Sequence, residues 1–468
     1  MIEVKDTGIK SYHPDMDGDP LYVTKGNCHY SHEGTKDFLD YITAYQPEDG
    51  GVTFLVNTFR GAKAQVKIRF VSPTAFRFQM FPHLVQPKLN EVFWFAPVSG
   101  VQVTEESLFI VVKTERVTLR LRKCPWEMTV ELDGELLTME QIKDHNVDQK
   151  YKAVPVGFTV GDDGRILNAF ETMYMYCDEA FYGFGEKFTS FNKRGQKITV
   201  WQQDAQSTNS DVSYKGMPYF MSSEGYSVLM NTYTRTHFNM GASSGVSYTM
   251  ETEDPYLDYY MFCNRDYKGL IRDYTALSGR SAMIPRWAFG FWMSRMSYMS
   301  RQEVEEIVDQ MAKFGMSVDV IHIDGWLDTM QPAGGKELLC FDEKRFPDPE
   351  GMIQSLREKG IHLSLWMFPY VHAVDREGRF SNQFKIMNER GYLVKNQKGE
   401  PYMFSPGEGD AGNWKVAALD FTNPEFVAYM KERVKRLMRM GVGVIKTDFS
   451  EEIPEDDMLA AMKFGQAA

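Results

Sequence analysis

Cysteine is scarce in this sequence and gives no sign of cross-linking. The five cysteines among 468 residues lie far apart, without the spacing of a disulfide framework or of a zinc site. The nine histidines form no metal-binding motif either. We therefore expect reduced thiols, a cytoplasmic protein, and no metal or other cofactor.

Long hydrophobic runs and an excess of positive charge are also missing. No run of about eighteen apolar residues occurs, so no membrane-spanning helix is expected. The first residues lack a basic segment followed by an apolar one, so no signal peptide is expected. With 64 acidic and 52 basic residues the net charge is -12, which argues against nucleic acid or an anionic membrane as a partner.

What the sequence does contain is a globular composition with many aromatic residues. Hydrophobic residues make up 43% and aromatic residues 14% of the chain. Its length allows about two or three domains with a sizeable core. Flat apolar rings suit sugar-binding sites, but they suit β-sandwich cores equally well. The composition therefore permits a carbohydrate site without indicating one.

Residues 1–266 are predicted to form an N-terminal antiparallel β-sandwich domain. Short segments with strand character recur, for example 66–70, 108–112 and 117–121, and turn-forming Asp-Gly pairs separate others. Almost no segment shows sustained helical periodicity. Many short strands joined by turns are typical of an antiparallel sandwich.

Residues 267–468 change to alternating strands and helices. A capping box at Ser300–Glu303 and the pairs Asp348-Pro349 and Asn423-Pro424 mark helix starts. The predicted strands are 288–293, 318–323, 361–368 and 442–447. Strands separated by helices indicate a parallel α/β sheet, and a (β/α)8 TIM-type barrel takes about 250 residues. Because about 180 residues follow Trp287, we expect only about the first half of that barrel.

The last predicted strand delivers Asp448, the first candidate for chemistry. Active sites of α/β barrels lie at the carboxyl ends of the strands, so a carboxylate there is a catalytic candidate. The alternative is that Asp448 only caps the next helix. Lys446 lies two residues earlier, on the same face of the strand. It could bind a hydroxyl and keep Asp448 ionised, or it could be a structural partner buried in the barrel.

A set of short segments, in a fixed order and spacing, carries a family resemblance. The segments are 182–188, 218–220, 289–292, 322–324, 346–352, 365–370, 420–424 and 446–449. Together they resemble glycoside hydrolase family 31, and most closely its bacterial α-xylosidase branch. The resemblance implies a β-sandwich followed by a (β/α)8 barrel. It also implies a retaining, exo-acting α-glycosidase that removes terminal α-linked sugars by double displacement.

The resemblance assigns roles to particular residues. It makes Asp448 the nucleophile, and it makes Asp324 a carboxylate that holds sugar hydroxyls. The remaining residues implied to contact the substrate are Lys446, Trp366, Trp326, Asp204 and Trp414. Among these, Asp204 would lie on a loop over the barrel mouth. The expected partner is a small-molecule or oligosaccharide substrate, and a homo-oligomer is possible.

Two departures from the family pattern limit what can be assigned. The acid/base Asp of the family lies well beyond the nucleophile, whereas the sequence ends twenty residues after Asp448. We therefore assign no proton donor and expect the front part of a longer enzyme, inactive alone. In addition, Ser297, Gly325 and Trp326 stand where typical α-xylosidases have bulky or thiol side chains. The missing side chain at Gly325 would leave room for a hydroxymethyl group beside Asp324.

Several alternatives therefore stay open. An α-glucosidase, an α-galactosidase or a transglycosylase of the same family would share the nucleophile. A missing contact the size of a methylene group is worth only about 1–3 kcal/mol, so mixed specificity would also fit. From a different class, the chain could be a non-catalytic carbohydrate-binding fragment.

Overall fold

The computed structural model describes most of the chain. The described residues are 5–6, 34–87, 93, 95–140, 156–203, 212–295, 297–327, 335, 337–374, 378–396, 398–405 and 415–451. The chain divides into two compact units, Met1–Ser281 and Ala282–Ala468, and each is described by itself. The sequence-based boundary between residues 266 and 267 remains a prediction.

The first unit is built almost wholly from antiparallel strands. The strands are β1 (Lys5–Asp6), β2 (Thr35–Glu48), β3 (Gly51–Thr58), β4 (Lys63–Ser72), β5 (Ala75–Pro82), β6 (Gln102–Glu105), β7 (Phe109–Lys113), β8 (Val117–Lys123), β9 (Trp126–Leu132), β10 (Glu135–Met139), β11 (Gly157–Val160), β12 (Ile166–Tyr174), β13 (Phe181–Gly185), β14 (Lys197–Val200), β15 (Gly216–Ser222), β16 (Tyr226–Met230), β17 (Thr236–Asn239), β18 (Ser247–Thr252) and β19 (Leu257–Cys263). Helix α1 (Tyr267–Ser278) follows them. The predicted β-sandwich is confirmed.

The long strand β2 links the two layers of this sandwich. Its residues 35–38 pair with β11, and its residues 39–48 pair with β3, with shifts of register between them. One layer therefore runs β13-β15-β16-β19-β5-β4-β3-β2, and the other runs from β2 through β11-β12-β18-β17 to β14. A separate sheet, β10-β9-β8-β7-β6, contributes to the same hydrophobic core. Trp126 of that sheet packs edge-on against Phe54 of β3, at 5.9 Å between ring centroids.

The second unit alternates strands and helices. Its strands are β20 (Trp292–Ser294), β21 (Val320–Ile323), β22 (His362–Met367), β23 (Tyr370–Val374), β24 (Met403–Phe404), β25 (Lys415–Ala418) and β26 (Val444–Thr447). Its helices are α2 (Arg301–Lys313), α3 (Pro349–Glu358), α4 (Asn382–Glu389) and α5 (Pro424–Met440). The strands β20-β21-β22-β26 form a parallel sheet in that order. The predicted first half of a barrel is therefore confirmed.

The predicted helix starts are confirmed by their capping bonds. The Ser300 side chain accepts from the amide of Glu303, whose carboxylate accepts from the amide of Met299. Asp348 and Asn423 cap α3 and α5 in the same way, each followed by proline in the first turn. These bonds satisfy amides that an isolated helix leaves without partners.

Two features of the second unit differ from the prediction. The strand predicted at 288–293 is shorter, because a 3₁₀ helix at Arg286–Phe289 begins after Pro285 and leaves only β20. In addition, the segment between β22 and α5 contains a small antiparallel sheet, β23-β25-β24, and helix α4. None of the helices in the described ranges has the length and apolarity needed to cross a membrane.

Candidate active site

The parallel strands of the second unit bring the candidate residues to one edge of the sheet. Asp324 follows the last residue of β21, and Asp448 follows the last residue of β26. The register pairs Trp366 of β22 with Lys446 of β26. Because parallel strands end at the same edge, residues more than a hundred positions apart in sequence become neighbours.

Asp448 is held by two donors on one of its oxygens. Its Oδ2 accepts a hydrogen bond from Trp366 Nε1 at 2.8 Å, and it lies 3.0 Å from Lys446 Nζ. Its Oδ1 accepts from the amide of Phe449 at 3.2 Å. Partial burial alone would raise the pKa of Asp448, but the Trp366 hydrogen bond and the Lys446 charge outweigh it and lower that pKa. Asp448 is therefore a carboxylate at neutral pH.

The chain leaves β26 through an unusual backbone turn. Phe449 and Ser450 have φ values of 57° and 103°, a region that side chains other than glycine rarely adopt. The Ser450 amide donates to the Tyr370 hydroxyl at 3.1 Å, which anchors the turn. No helix begins among the described residues 449–451. Within that stretch, the alternative of Asp448 as a helix cap is not supported.

Asp324 is positioned by a short chain of polar contacts. His322 Nε2 lies 2.8 Å from Oδ1 of Asp324, and His322 Nδ1 lies 2.9 Å from the Ser364 hydroxyl. A carboxylate oxygen only accepts, so Nε2 donates to Asp324 and Nδ1 accepts from Ser364. Lys446 Nζ lies 3.9 Å from Oδ1 of Asp324. The lysine thus lies between the two acids, and at 47% side-chain exposure it is not a buried structural partner.

Aromatic rings border the carboxylates on one side. The Trp366 ring stacks on Phe368, with 4.7 Å between centroids, and Phe449 meets it edge-on at 6.3 Å. Such flat apolar surfaces beside polar groups suit the faces of a sugar ring. Phe368 and Phe449 were not singled out from the sequence.

Trp326 does not contact this open edge, contrary to the prediction that it touches the substrate. Its side chain is fully buried and packs against Phe341, at 4.7 Å between centroids. Its Nε1 donates to the backbone carbonyl of Trp366 at 2.7 Å. A ring without exposed surface cannot touch a sugar, so Trp326 instead positions the strand that carries Trp366.

The space expected beside Asp324 is not empty. A Cβ placed on Gly325 would overlap the Ser297 hydroxyl oxygen. The prediction that the missing side chain at Gly325 leaves open room is therefore wrong in its simple form. The Ser297 hydroxyl occupies the position that a side chain on residue 325 would take.

Some predicted residues lie outside the described part of the chain. These are Asp204 and Trp414, together with the acids that follow Glu451. Sequence reasoning also missed Ser364, although it alternates with Trp366 on β22 just as His322 alternates with Asp324. That period-two pattern was the available signal. Tyr370 gave no such signal, since its contact with Ser450 spans eighty residues.

Comparison with known proteins identifies both parts of the chain. Residues 65–239 match the glycosyl hydrolase 31 N-terminal galactose mutarotase-like domain, and residues 281–465 match the glycosyl hydrolases family 31 TIM-barrel domain. The α-xylosidase XylQ of Lactiplantibacillus pentosus is 31% identical over 364 residues, which are 77% of this chain and 44% of XylQ. An α-xylosidase of Emericella nidulans is 31% identical over 279 residues, 59% of this chain and 34% of that protein.

Solved structures agree at the level of the fold. A Flavobacterium johnsoniae GH31 dextranase complexed with glucose has a TM-score of 0.73 at 24% identity, over 88% of this chain and 48% of the dextranase. A GH31 α-xylosidase from a soil metagenome complexed with xylose has a TM-score of 0.70 at 20% identity, over 91% of this chain and 60% of that α-xylosidase. The chain thus spans about half or less of the curated relatives named above. With both domains matched in order, the chain belongs to glycoside hydrolase family 31.

Proposed function

We propose that this chain carries the nucleophile side of a retaining, exo-acting α-glycoside hydrolase that resembles α-xylosidases. The observation that supports it most is the environment of Asp448. Two donors fix Oδ2 and keep the group ionised, whereas Oδ1 accepts only from a neighbouring amide among the described residues. A carboxylate that is fixed at one oxygen and open at the other is suited to attack a carbon.

The reaction would proceed in two displacements. Oδ1 of Asp448 attacks the anomeric carbon, the bond to the leaving-group oxygen breaks, and a glycosyl ester forms. Water then attacks the same carbon and releases the sugar with retained configuration. Both steps need a proton donor and acceptor on the opposite face of the ring, about 5 Å from the nucleophile. We assign no residue to that role.

Asp324 and Lys446 would orient the sugar. Asp324 accepts hydrogen bonds from sugar hydroxyls, and the His322–Ser364 contacts fix its direction. Lys446 donates to a hydroxyl and also offsets the charges of both acids. Orientation of this kind lowers the entropic cost of reaching the transition state.

The α-xyloside is the leading substrate because the relatives named above include α-xylosidases at 31% identity. An α-glucoside is the main alternative. A Bacillus thermoamyloliquefaciens α-glucosidase is 28% identical over 365 residues. A galactoside, or transfer to a sugar acceptor instead of water, would use the same nucleophile.

Covalent trapping tests this proposal without requiring a proton donor. The chain is incubated with 5-fluoro-α-D-xylosyl fluoride or 5-fluoro-α-D-glucosyl fluoride, and its intact mass is followed by mass spectrometry. Fluoride leaves with little acid assistance, and the ring fluorine slows hydrolysis of the ester. We expect one adduct per chain that maps to Asp448 by peptide sequencing, and faster labelling by the preferred sugar.

The matched control is Asp448→Asn, which keeps the size and the Trp366 contact but cannot form the ester. Its circular dichroism spectrum should match that of the unchanged chain, and it should show no adduct. An adduct on another residue would contradict the assignment of the nucleophile. The absence of an adduct from both sugars, combined with measurable sugar binding, would favour the non-catalytic carbohydrate-binding alternative.

A further inference from the structure

The turn that follows Asp448 has a conformation that its own residues disfavour. Phe449 and Ser450 have φ values of 57° and 103°, a region in which side chains other than glycine are strained. Such values persist only where the surrounding structure imposes them. Contacts of this turn with other elements therefore decide the conformation of the residues next to the candidate nucleophile.

The conformation of Phe449 bears on both oxygens of Asp448. The Phe449 amide donates to Oδ1 at 3.2 Å. The Phe449 ring meets Trp366 edge-on, with 6.3 Å between centroids, and Trp366 Nε1 donates to Oδ2. On the strand side, the Asp448 amide donates to the carbonyl of Met367 at 2.8 Å, which fixes the backbone to β22. A change in the turn would therefore act on the carboxylate and leave the strand in place.

Tyr370 contacts the turn from a different element. Its hydroxyl accepts a hydrogen bond from the Ser450 amide at 3.1 Å. Tyr370 begins β23, where its backbone is paired with Ala418 of β25. The residue is 2% exposed, and its ring packs edge-on against Phe404 of β24 at 5.0 Å and against Phe368 at 5.6 Å between centroids. The small antiparallel sheet β23-β25-β24 therefore presents a fixed acceptor to the turn.

The hydrogen bond from Ser450 is not needed to satisfy a buried amide. Ser450 is exposed, so water can also accept from its amide. Water has no fixed position, however, and does not oppose the relaxation of a strained φ angle. What the tyrosine hydroxyl adds is therefore a fixed position for that amide.

We propose that Tyr370 is a positioning residue, which holds the turn at Phe449 and Ser450 through its hydroxyl and thereby orients the Asp448 carboxylate for attack. The proposal rests on the proposed function, because it assumes that Asp448 attacks a glycosidic carbon. Displacement of a reacting group by about 1 Å costs up to about 100-fold in rate. Without the hydroxyl the turn relaxes part of the time, so the rate of attack should fall by about tenfold.

Tyr370→Phe tests the role of the hydroxyl, since it keeps the ring and its packing. The chain is labelled at several concentrations of the 5-fluoro glycosyl fluoride that reacts faster with the unchanged protein. The limiting rate of labelling should fall about tenfold, whereas the half-saturating concentration should stay within about twofold. This separation is expected because Lys446 lies within β26 and Asp324 is held by His322. A limiting rate within about twofold of the unchanged chain would overturn the proposal.

Ser450→Gly separates orientation from packing. Glycine adopts positive φ values readily, so the turn then needs less support from outside. In that background, Tyr370→Phe should lower the limiting rate by only about twofold. An equal loss in both backgrounds would mean that Tyr370 acts through packing, which would overturn the proposal.

Tyr392→Phe is the matched control for the loss of a phenolic hydroxyl. Tyr392 lies in the same unit, and its ring packs against Phe426 and Tyr429 of α5. This variant should keep the labelling rate of the unchanged chain. The same loss in Tyr392→Phe as in Tyr370→Phe would mean that the rate reports the stability of the whole unit, and the role of Tyr370 would be overturned.

A measurement without substrate keeps the two proposals distinguishable. The Phe449 amide is one of the groups that lower the pKa of Asp448, so Tyr370→Phe should raise that pKa relative to the unchanged chain. Carbon-13 NMR of the aspartate carboxyl groups, assigned with Asp448→Asn, measures it. If the unchanged chain forms no adduct but the pKa rises in Tyr370→Phe, the proposed hydrolase fails and the control of the carboxylate by Tyr370 stands. If an adduct forms and Tyr370→Phe changes neither the rate nor the pKa, the role of Tyr370 alone fails.

Discussion

Each unit of the molecule contains a pair of acidic side chains in a polar cluster, and the two pairs behave in opposite ways. In the first unit, Glu140 and Glu171 are fully buried in the sandwich. Glu140 accepts from Trp126 Nε1 at 3.0 Å and from the Met128 amide at 3.1 Å. Glu171 accepts from the Tyr259 hydroxyl at 3.3 Å. All these donors are uncharged.

The surroundings decide the protonation state. Burial raises the pKa of Glu140 to about 8 and raises the pKa of Glu171 well above its usual value, and the nearby Glu127 adds to the effect on Glu140. The two carboxyl groups hydrogen-bond to each other, so Glu171 retains a proton that it donates to Glu140. In the second unit, the exposed Lys446 lowers the pKa of Asp448 against partial burial. A buried acid thus becomes neutral unless a cation accompanies it.

The largest expected effect comes from replacing Glu171, which donates the proton shared with Glu140. Because the folded-state pKa values are raised, the folded protein binds more protons than the unfolded chain above the usual carboxyl pKa. Its stability should therefore fall as pH rises from about 4.5 toward 8. Glu171→Gln keeps a donor toward Glu140 without the titration. We expect it to be more stable at pH 8 by on the order of 3 kcal/mol.

Urea unfolding at pH 5 and pH 8, followed by tryptophan fluorescence, measures this effect. Glu171→Gln should show a smaller difference between the two pH values than the unchanged chain. Glu135→Gln is the control, because it removes one carboxylate from a side chain that is 80% exposed and leaves the buried pair unchanged. An equal loss of stability at both pH values in Glu171→Gln would mean that the pair is held by packing and not by a shared proton.

The second prediction removes the positive charge beside Asp448, so that this acid, like Glu140 and Glu171, has only uncharged donors. Lys446→Met removes the cation 3.0 Å from Asp448 and leaves burial and the Trp366 bond. The pKa of Asp448 should rise, so the carboxylate would be protonated at a higher pH than in the unchanged chain. Carbon-13 NMR of the aspartate carboxyl groups, assigned with Asp448→Asn, measures this shift.

Lys446→Arg is the matched control, since it keeps the positive charge at a similar distance. Its Asp448 should retain the lowered pKa. If Lys446→Met left that pKa unchanged, the Trp366 hydrogen bond would be the main stabiliser of the ionised form. The contrast between the two units would then depend on exposure and hydrogen bonds, and not on the presence of a cation.

Much of the fold could be predicted because its signals are local. Asn423 and Gly441 mark the ends of α5 through capping bonds to nearby residues. Gly183 lies at a close backbone approach, where a Cβ would meet the carbonyl of Tyr219 on β15. The sheet β23-β25-β24 was missed because β23 pairs with β25 across more than forty residues, a separation that local patterns do not report.

The site was predictable only as far as strand position decides it. Asp448 and Lys446 were indicated by the position of their strand, whereas Asp324 was indicated by the family resemblance. Strand position does not decide the direction of Trp326, because an aromatic residue after a strand can turn toward the core as readily as toward a ligand. The neighbourhood of Gly325 also escaped prediction, since the approach of Ser297 and Arg345 depends on tertiary packing.

The smallest expected effect concerns Asp324. This acid accepts a hydrogen bond from His322, whereas Glu140 and Glu171 accept from tryptophan and tyrosine donors. Ser364→Ala removes the hydroxyl that donates to His322 Nδ1. The loss should cost about 1 kcal/mol of stability, because a buried acceptor is left without a partner. It should also mix the His322 tautomers, which nitrogen-15 NMR resolves. Ser294→Ala is the control. Ser294 is the register partner of His322 on the neighbouring strand β20 and has an exposed side chain, so its replacement should change neither the stability nor the His322 tautomer. If both variants left a single tautomer with hydrogen on Nε2, Asp324 alone would fix the histidine, and the Ser364 contact would be dispensable.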